Sequence, residues 1–376
     1  MAKSDVIIVG GGVIGLATAW RTAQLGHSVT VVDPNPGGAA SHTAAGMLAP
    51  VTELHYEGRD LLALNLESAR RYPGFVADLR DATGLDVGYR ESGTVQAAWD
   101  AADLADLRAL QAFQESLGVR SEMLTSRELR AVEPALAAGL PGGLFAVGDH
   151  QVDNRALVTA LMSAAEAAGV TVIRRSVARI DEGAGVTLDT GETLTAGIVV
   201  LAAGAWSRGI EGLTAAPPVR PVKGQTVRLS AQPDLVHQVV RGSVRGNPVY
   251  IVPRANGDLV IGASSEEAGF DLRARTGAVY ELLRDAQTLI PELSEAEFVE
   301  VSTSVRPGSP DNAPLLGQSE VDGLIYATGH YRNGILLTPV TADEIAALID
   351  TGTASEIIAP FHPARAGGAR GAEVRA

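Results

Sequence analysis

Residues 5–33 read DVIIVGGGVIGLATAWRTAQLGHSVTVVD, and their order decides the fold. Val6 to Val9 are a short apolar run of the kind a buried parallel strand shows. Gly10, Gly12 and Gly15 then fall on the spacing G-x-G-x-x-G. Val13 to Leu25 carry Ile14, Leu16, Ala17 and Trp20 at helical spacing. Gly26 is placed to end that helix, and Val29 to Val32 form a second apolar strand closed by Asp33. Each position has a physical task. Gly10 allows a tight turn, Gly12 lets backbone approach a pyrophosphate, and Gly15 lets helix and strand pack closely. Free N–H groups at the helix start, with the positive end of its dipole, attract phosphate. Asp33 is placed to accept a hydrogen bond from a ribose hydroxyl. Glycines at this spacing are weak evidence alone, but strand, turn, helix, strand and acid in this order are the context the motif requires. The stretch predicts an adenine-dinucleotide site on a Rossmann-like domain. It does not separate FAD from NAD.

The chain has 376 residues, more than one typical domain needs. Hydrophobic residues at 46% and charged residues at 20% place it among soluble globular proteins. A net charge of −14 with no long basic stretch argues against nucleic acid as a partner. There are no cysteines, which excludes disulfides, thiolate metal sites, cysteine nucleophiles and a thioether-linked flavin. The first strand begins almost at once, leaving no room for a signal peptide, and no apolar run approaches the ~20 residues of a membrane span. A cytoplasmic protein without a membrane span is expected.

Working outward, residues 34–49 (PNPGGAASHTAAGMLA) form a loop poor in side chains. Its place after Asp33 favours close backbone approach to a ligand. Residues 61–83 predict a helix with Leu62, Leu66, Ala69, Tyr72, Phe75 and Leu79 on one face and Gly84 as its stop. Residues 87–97 alternate as an antiparallel strand pair would. Ala101 to Leu117 and Ser126 to Glu133 predict helices, the second opened by Ser126. A strand and turn follow at 142–149, a helix at 154–169, one strand over 170–181, and a hairpin over 186–194. Ile198 to Leu201 are another buried strand, ended by small residues around Gly204. A nearby ligand and simple strand–helix packing would each ask for glycine there. Residues 218–229, 249–253 and 259–263 read as antiparallel sheet, with Asn256-Gly257-Asp258 as a hairpin turn. A helix over 277–289 and a strand over 298–305 lead into Arg306-Pro307.

This order predicts an α/β chain of two domains. A Rossmann-like FAD-binding domain takes 1–85, 145–215 and 305–362. A mixed, largely antiparallel substrate domain takes 86–144 and 216–304. The tail 363–376 has almost no apolar content and is expected to be disordered.

Residues 325–345 read IYATGHYRNGILLTPVTADEI. A short strand, a loop with Gly329, Asn333 and Gly334, and a helix to about Asp350 follow one another. Thr338-Pro339 fit N-cap and N1, and Thr341-x-x-Glu344 has capping-box spacing. A helix start aimed at a ligand suits a reduced flavin, whose N1–C2=O edge gathers negative charge, whereas nicotinamide has no such need. This element moves the reading to flavin. Arg306 and Arg332 flank the loop. A guanidinium pairs bidentately with a carboxylate, and Tyr250 can add a hydroxyl. A lone arginine is more often a solvated charge; two beside a cofactor loop favour a carboxylate clamp.

These residues resemble the D-amino-acid oxidase and glycine oxidase family of FAD enzymes over nearly the whole chain. The resemblance rests on GGGVIGLATA with Asp33, AAGMLAP at 44–50 and PVKGQ at 221–225. YIVPR at 250–254, VRPGSPDNAPLLG at 305–317 and ATGHYRNGILLTP at 327–339 complete it. It implies a D-amino-acid-oxidase-type fold and non-covalent FAD. The implied reaction is oxidation of glycine by oxygen to glyoxylate, ammonia and hydrogen peroxide, by hydride transfer to flavin N5. The glycine imine would feed thiamine thiazole synthesis through a thiazole synthase. By position, Arg306 would pair with the substrate carboxylate, and Arg332, Tyr250 and Met47 would line its pocket. Val13, Ile14, Asp33 and Pro34 would hold the near end of FAD. Ala40, Ser41, Ala45, Gly46 and Met47 would follow the pyrophosphate and ring, and Val177 would offer backbone to the adenine. His330, Tyr331, Arg332, Asn333, Gly334, Ile335 and Leu336 would wrap the isoalloxazine. His330 reads as a loop residue, since the amine lone pair makes a protein base unnecessary. Some relatives carry methionine where Ser264 or Ser265 stands, which bears on substrate size. A homo-oligomer, a tetramer, is also implied. A sarcosine or D-amino-acid oxidase, a dehydrogenase of the same fold, and a non-catalytic FAD-binding subunit share these motifs. The subunit alone would not need the carboxylate clamp.

Overall fold

The computed structural model describes residues 4–54, 58–181, 183–213 and 216–366. In chain order the first half contains β1 (Val6–Val9), α1 (Val13–Gln24), β2 (Val29–Val32), α2 (Ala39–Thr43), β3 (Met47–Leu48), α3 (Arg59–Thr83), β4 (Thr94–Ala97), α4 (Ala101–Ser116), β5 (Glu122–Thr125), α5 (Ser126–Val132), β6 (Gly142–Ala146), β7 (His150–Gln151), α6 (Asn154–Ala167), β8 (Thr171–Ile173) and β9 (Val177–Asp181). The second half contains β10 (Gly185–Leu188), β11 (Thr193–Thr195), β12 (Ile198–Leu201), β13 (Arg220–Ser230), β14 (Val239–Val244), β15 (Asn247–Pro253), β16 (Asp258–Gly262), α7 (Thr276–Leu289), β17 (Glu297–Gly308), β18 (Leu315–Gln318), β19 (Leu324–Thr328) and α8 (Thr338–Thr351).

A six-stranded sheet has the order β18-β19-β12-β1-β2-β8. It is parallel except for β18. Both faces are covered, which is why its strands are continuously apolar. Val6, Ile8, Val29, Val31 and Val200 pack with Leu16 and Trp20 of α1, Leu157 and Leu161 of α6, and Ile345 of α8. Ile7, Val9, Val32, Val199 and Leu201 face the other way, onto Ile180, Val186 and Leu188 of the small β11-β10-β9 sheet.

An eight-stranded sheet has the order β17-β13-β16-β15-β14-β4-β6-β5. Val227, Leu229, Ile251 and Ile261 pack against Leu282, Ala286 and Leu289 of α7. The side-chain period of two then puts Gly224, Thr226, Arg241, Tyr250 and Arg306 on the opposite face, where they line one cleft.

Several expectations are corrected. Residues 87–97 hold one strand, β4, because Gly88 and Gly93 break the run at positive φ. Residues 170–181 are two strands in different sheets, interrupted at 174–176. Residues 34–49 contain α2 and β3 and are not all loop. On α3, Leu66 is 38% exposed, and Leu64, Asn65 and Ser68 are buried instead. Helix α5 is capped by a Thr125–Glu128 capping box, not by Ser126. The N-cap of α8 is Leu337, so Thr338 and Pro339 are its first two residues. Thr341 and Glu344 make no capping box: Thr341 bonds His330 and Glu344 accepts from Arg71. Strand β17 runs through Arg306 to Gly308, and β5, β14 and β18 had no sequence counterpart. The start of the expected disordered tail is ordered: Pro363–Ala366 form a 3-10 turn in which Arg365 bonds Asp311. Residues 367–376 lie outside the described residues.

Candidate cofactor and substrate cleft

A cleft of about 1810 Å³ runs from the ends of β1 and β2 to the open face of the eight-stranded sheet. Drug-sized pockets are typically ~300–1,000 Å³, so this one has room for a dinucleotide and a small second ligand. Its near end is built from the glycine turn. Gly10 has φ +110, and a Cβ there would overlap the Ala202 carbonyl. A Cβ on Gly15 would overlap the Gly10 carbonyl, so Gly15 serves helix–turn packing and does not itself line the cleft. Gly12 does line it, as do Val13 and Ile14. Helix α1 starts without a side-chain cap and without an acid in its first turn. Such a start suits an anion. Ser41 Oγ accepts a hydrogen bond from Val13 N at 3.1 Å.

Asp33 and Pro34 line the cleft beside this turn. The Asp33 carboxylate accepts from Gly11 N and from Asn35 N, both at 2.7 Å, and so braces the glycine turn. Ala40, Ser41, Val177 and Gly204 also face the cleft. So do Ala45, Gly46 and Met47, in a segment fixed from behind. Arg254 Nη2 donates to Ala45 O at 2.6 Å, and Nη1 donates to Gln151 Oε1 at 3.0 Å. Burial pulls the Arg254 pKa down to about 10, which leaves it charged at neutral pH. A Cβ on Gly46, at φ +79, would overlap the Val152 carbonyl.

The C-terminal loop forms the next wall. His330, Tyr331, Arg332, Asn333, Gly334 and Ile335 line the cleft; Leu336 does not. Instead the Leu336 carbonyl accepts from Ser68 Oγ at 2.6 Å, and the Ile335 carbonyl accepts from Tyr72 OH at 3.0 Å. Helix α3 thus holds the loop in place. His330 is buried, with Nε2 3.1 Å from Thr341 Oγ1, and burial lowers its pKa to about 3. It is a neutral wall residue at neutral pH. The Arg332 guanidinium lies 5.3 Å from the centre of the Tyr331 ring.

At the far end, Arg306 Nη1 donates to Ser264 O at 3.1 Å. The guanidinium lies flat over Gly224, where a Cβ would come within 2.6 Å of both terminal nitrogens. Tyr250 is likewise placed over its cross-strand partner Gly262. Burial pushes its phenol pKa up, against the pull of Arg306, so it stays a hydroxyl at neutral pH. Ser264 and Ser265 complete this wall.

Among the cleft residues that sequence reasoning missed are Arg241, Glu53 and Gln96. Arg241 of β14 donates from Nη1 to Glu53 Oε1 at 2.6 Å. It sits opposite Tyr250 on one side and Gln96 on the other. The glycines in VVRGSVRG hid the strand, and no spacing rule links residue 53 to residue 241. One test of a flavin dinucleotide is whether the cleft asks for such a ligand. The glycine turn leaves no room for side chains and brings backbone to the cleft wall, and the first turn of α1 beside it carries no acid to repel a phosphate. The residues fit the group.

The family profile described as FAD dependent oxidoreductase (DAO) matches residues 5–348. The chain is 37% identical over 380 residues to glycine oxidase of Geobacillus kaustophilus (strain HTA426), with 99% of each chain covered. It is 35% identical over 366 residues to the bifunctional protein ThiO/ThiG of Nostoc sp. (strain PCC 7120 / SAG 25.82 / UTEX 2576), covering 96% of this chain and 55% of that one. The crystal structure of glycine oxidase from Geobacillus kaustophilus matches with a TM-score of 0.91 and 36% identity over 96% of this chain and 98% of that one.

Proposed function

Because the chain belongs to the DAO family of FAD-dependent oxidoreductases, we propose that it oxidises glycine with oxygen to glyoxylate, ammonia and hydrogen peroxide. FAD, with no cysteine available for a thioether link, supplies the hydride acceptor when bound. The observation that carries the reading is the carboxylate clamp. Arg306, laid over Gly224, and Tyr250, laid over Gly262, face one chamber beside the 330–335 loop.

In this reading the chain's own residues bind and orient. Arg306 takes the α-carboxylate through its fork, and the Tyr250 hydroxyl donates to the same group. Fixing the carboxylate fixes the α-carbon against the loop wall, which is where positioning contributes most to rate. The glycine turn, the start of α1, Asp33, the 45–47 segment and the loop from His330 to Ile335 would hold the cofactor. His330 is too weak a base to take a proton from the substrate ammonium, so that proton would pass to solvent and the amine would react in its neutral form. We further propose that segments 1–85, 145–215 and 305–362 form the cofactor side and 86–144 and 216–304 the substrate side.

The ThiO/ThiG relatives support a place in thiamine thiazole synthesis, with the glycine imine handed to a separate thiazole synthase. The chain spans about half the length of those relatives. A homo-oligomer, a tetramer, in the cytoplasm belongs to the same proposal. Among the described residues no helix is long and apolar enough to cross a membrane. The test is an anaerobic glycine titration of the holoenzyme, read by visible flavin absorbance. Bleaching, with colour and peroxide returning on aeration, is expected. A flavin that glycine does not bleach overturns the substrate; bleaching without peroxide overturns oxygen as acceptor.

A further inference from the structure

We propose that Glu53 sets the substrate class: it neutralises Arg241, so that the cleft takes amines with one carboxylate and disfavours those with a second anionic group, and Asp149 is the positioning residue that holds Glu53 in place. The proposal rests on the amino-acid reading above only for the kind of molecule bound.

Arg241 and Glu53 both line the cleft, with side-chain exposures of 17% and 11%. The β4–β14–β15 register puts Gln96, Arg241 and Tyr250 side by side on the cleft face. Arg306, Glu53, Arg241 and Arg332 line the same cleft as Tyr250. Three guanidinium groups and one carboxylate therefore meet there. The α-carboxylate of a substrate occupies Arg306. Glu53 and Arg332 line the same cleft, so the Glu53 charge offsets that of Arg332 as well as that of Arg241. With Glu53 present, a second anion would have to compete with it for Arg241. Without it, Arg241 becomes a second anion site. Gln96 also lines the cleft, beside Arg241 on the neighbouring strand, and adds a polar group to this corner.

Glu53 does not hold itself in place. The two residues before it are pinned by the fully buried Asp149. The Asp149 carboxylate accepts from Val51 N at 2.9 Å, Thr52 N at 2.9 Å and Thr52 Oγ1 at 2.6 Å. Gln114 Nε2 adds a bond to Val51 O at 3.0 Å. A buried carboxylate receiving three donors is a rigid anchor, and the next residue in the chain is the one that meets Arg241.

The experiment uses two ligands that cannot be oxidised, acetate and malonate, titrated into the oxidised holoenzyme and read by the perturbation of flavin absorbance. Glu53→Gln should shift the affinity ratio toward malonate by about tenfold, the scale of one close charge pair. Asp149→Asn should shift it the same way by less. Glu53→Gln combined with Arg241→Gln should return it to the starting value. An unchanged ratio in Glu53→Gln, or equal weakening of both ligands, overturns the proposal. A shift in Glu53→Gln with none in Asp149→Asn overturns the positioning role. Should Glu53→Gln not fold, Arg241→Gln decides: it should leave the ratio unchanged or lower it, and a rise toward malonate overturns the proposal. Ligand binding here needs no turnover, so failure of glycine to bleach the flavin is read separately.

Discussion

Arg306 reaches the cleft only because residue 224 has no side chain. A Cβ at Gly224 would come within 2.6 Å of both terminal nitrogens of the guanidinium. Gly224→Ala should therefore displace the fork without touching the cofactor wall. Its expected signature is a KM for glycine raised about ten- to a hundredfold, with kcat changed less, the pattern of lost ground-state binding. Steady-state peroxide assays check it, and an unchanged KM contradicts the clamp. His330 gives a second residue-scale prediction. Its ordinary pKa of 6.5 falls to about 3 on burial. Between those values the unfolded chain takes a proton that the folded chain refuses, so acidification through this window lowers stability. Buried Asp149 works in the opposite sense. Its carboxyl rises from 3.8 to about 6, so the folded chain gains a proton first and stability rises as pH falls from 6 to 3.8. His330→Gln should remove the first effect and leave the second. The Tm difference between variant and parent should then shift in the variant's favour as pH drops from 6.5 to 4, and a pH-independent difference contradicts it. Arg306 and Tyr250 were legible in the sequence because each stands beside a recognisable stretch. Glu53 and Asp149 were not, because their roles come from contacts with residues 188 and 97 positions away.

At the scale of elements, the cofactor loop depends on a helix distant in sequence. Tyr72 and Ser68 of α3 satisfy the carbonyls of Ile335 and Leu336, just before α8 begins. Tyr72→Phe keeps the buried ring but leaves the Ile335 carbonyl without that donor. An unmet buried acceptor costs about 1–3 kcal/mol. Since Ile335 lines the cleft, the loss should appear both as a lower Tm and as easier release of FAD on dilution. Unchanged cofactor retention would show that α3 supports the fold alone. The apolar stripe of α3 was readable as a helix face, yet it says nothing of which carbonyls Tyr72 and Ser68 meet. Leu66 fitted the stripe by spacing and is exposed, because the buried face turns through Leu64, Asn65 and Ser68. Strand β14, with Gly242 inside it, escaped recognition for a related reason. Its pairing with β4 joins segments far apart along the chain, and no local period records it.

For the whole molecule, the parallel sheet was visible from its first 33 residues, because a strand covered on both faces is apolar throughout. The open face of the other sheet was harder to read, since it mixes Gly224, Arg241, Tyr250, Ser302, Ser304 and Arg306. That mixture makes sense only once a ligand lies between the sheets. The cleft between them sets what removing FAD should do. Ties that need no cofactor already cross it: Thr226 Oγ1 donates to Thr43 O at 3.1 Å, and Arg155 pairs with Glu300. The two large sheets also keep separate apolar cores. The apoprotein should therefore remain folded, with one cooperative melt. What it loses is the linkage term, about 2.7 kcal/mol at free FAD a hundred times Kd. Unfolding entropy near ~2.1 cal/mol/K per residue makes that about 3 °C in Tm for a chain of this length. Adding FAD back should restore the difference logarithmically with concentration, while adenosine diphosphate, which fills only the near end, should restore part of it. A melt that FAD does not move would mean that the cleft is not where the cofactor binds. A collapse to an unfolded apoprotein would mean that the ties across it carry no load.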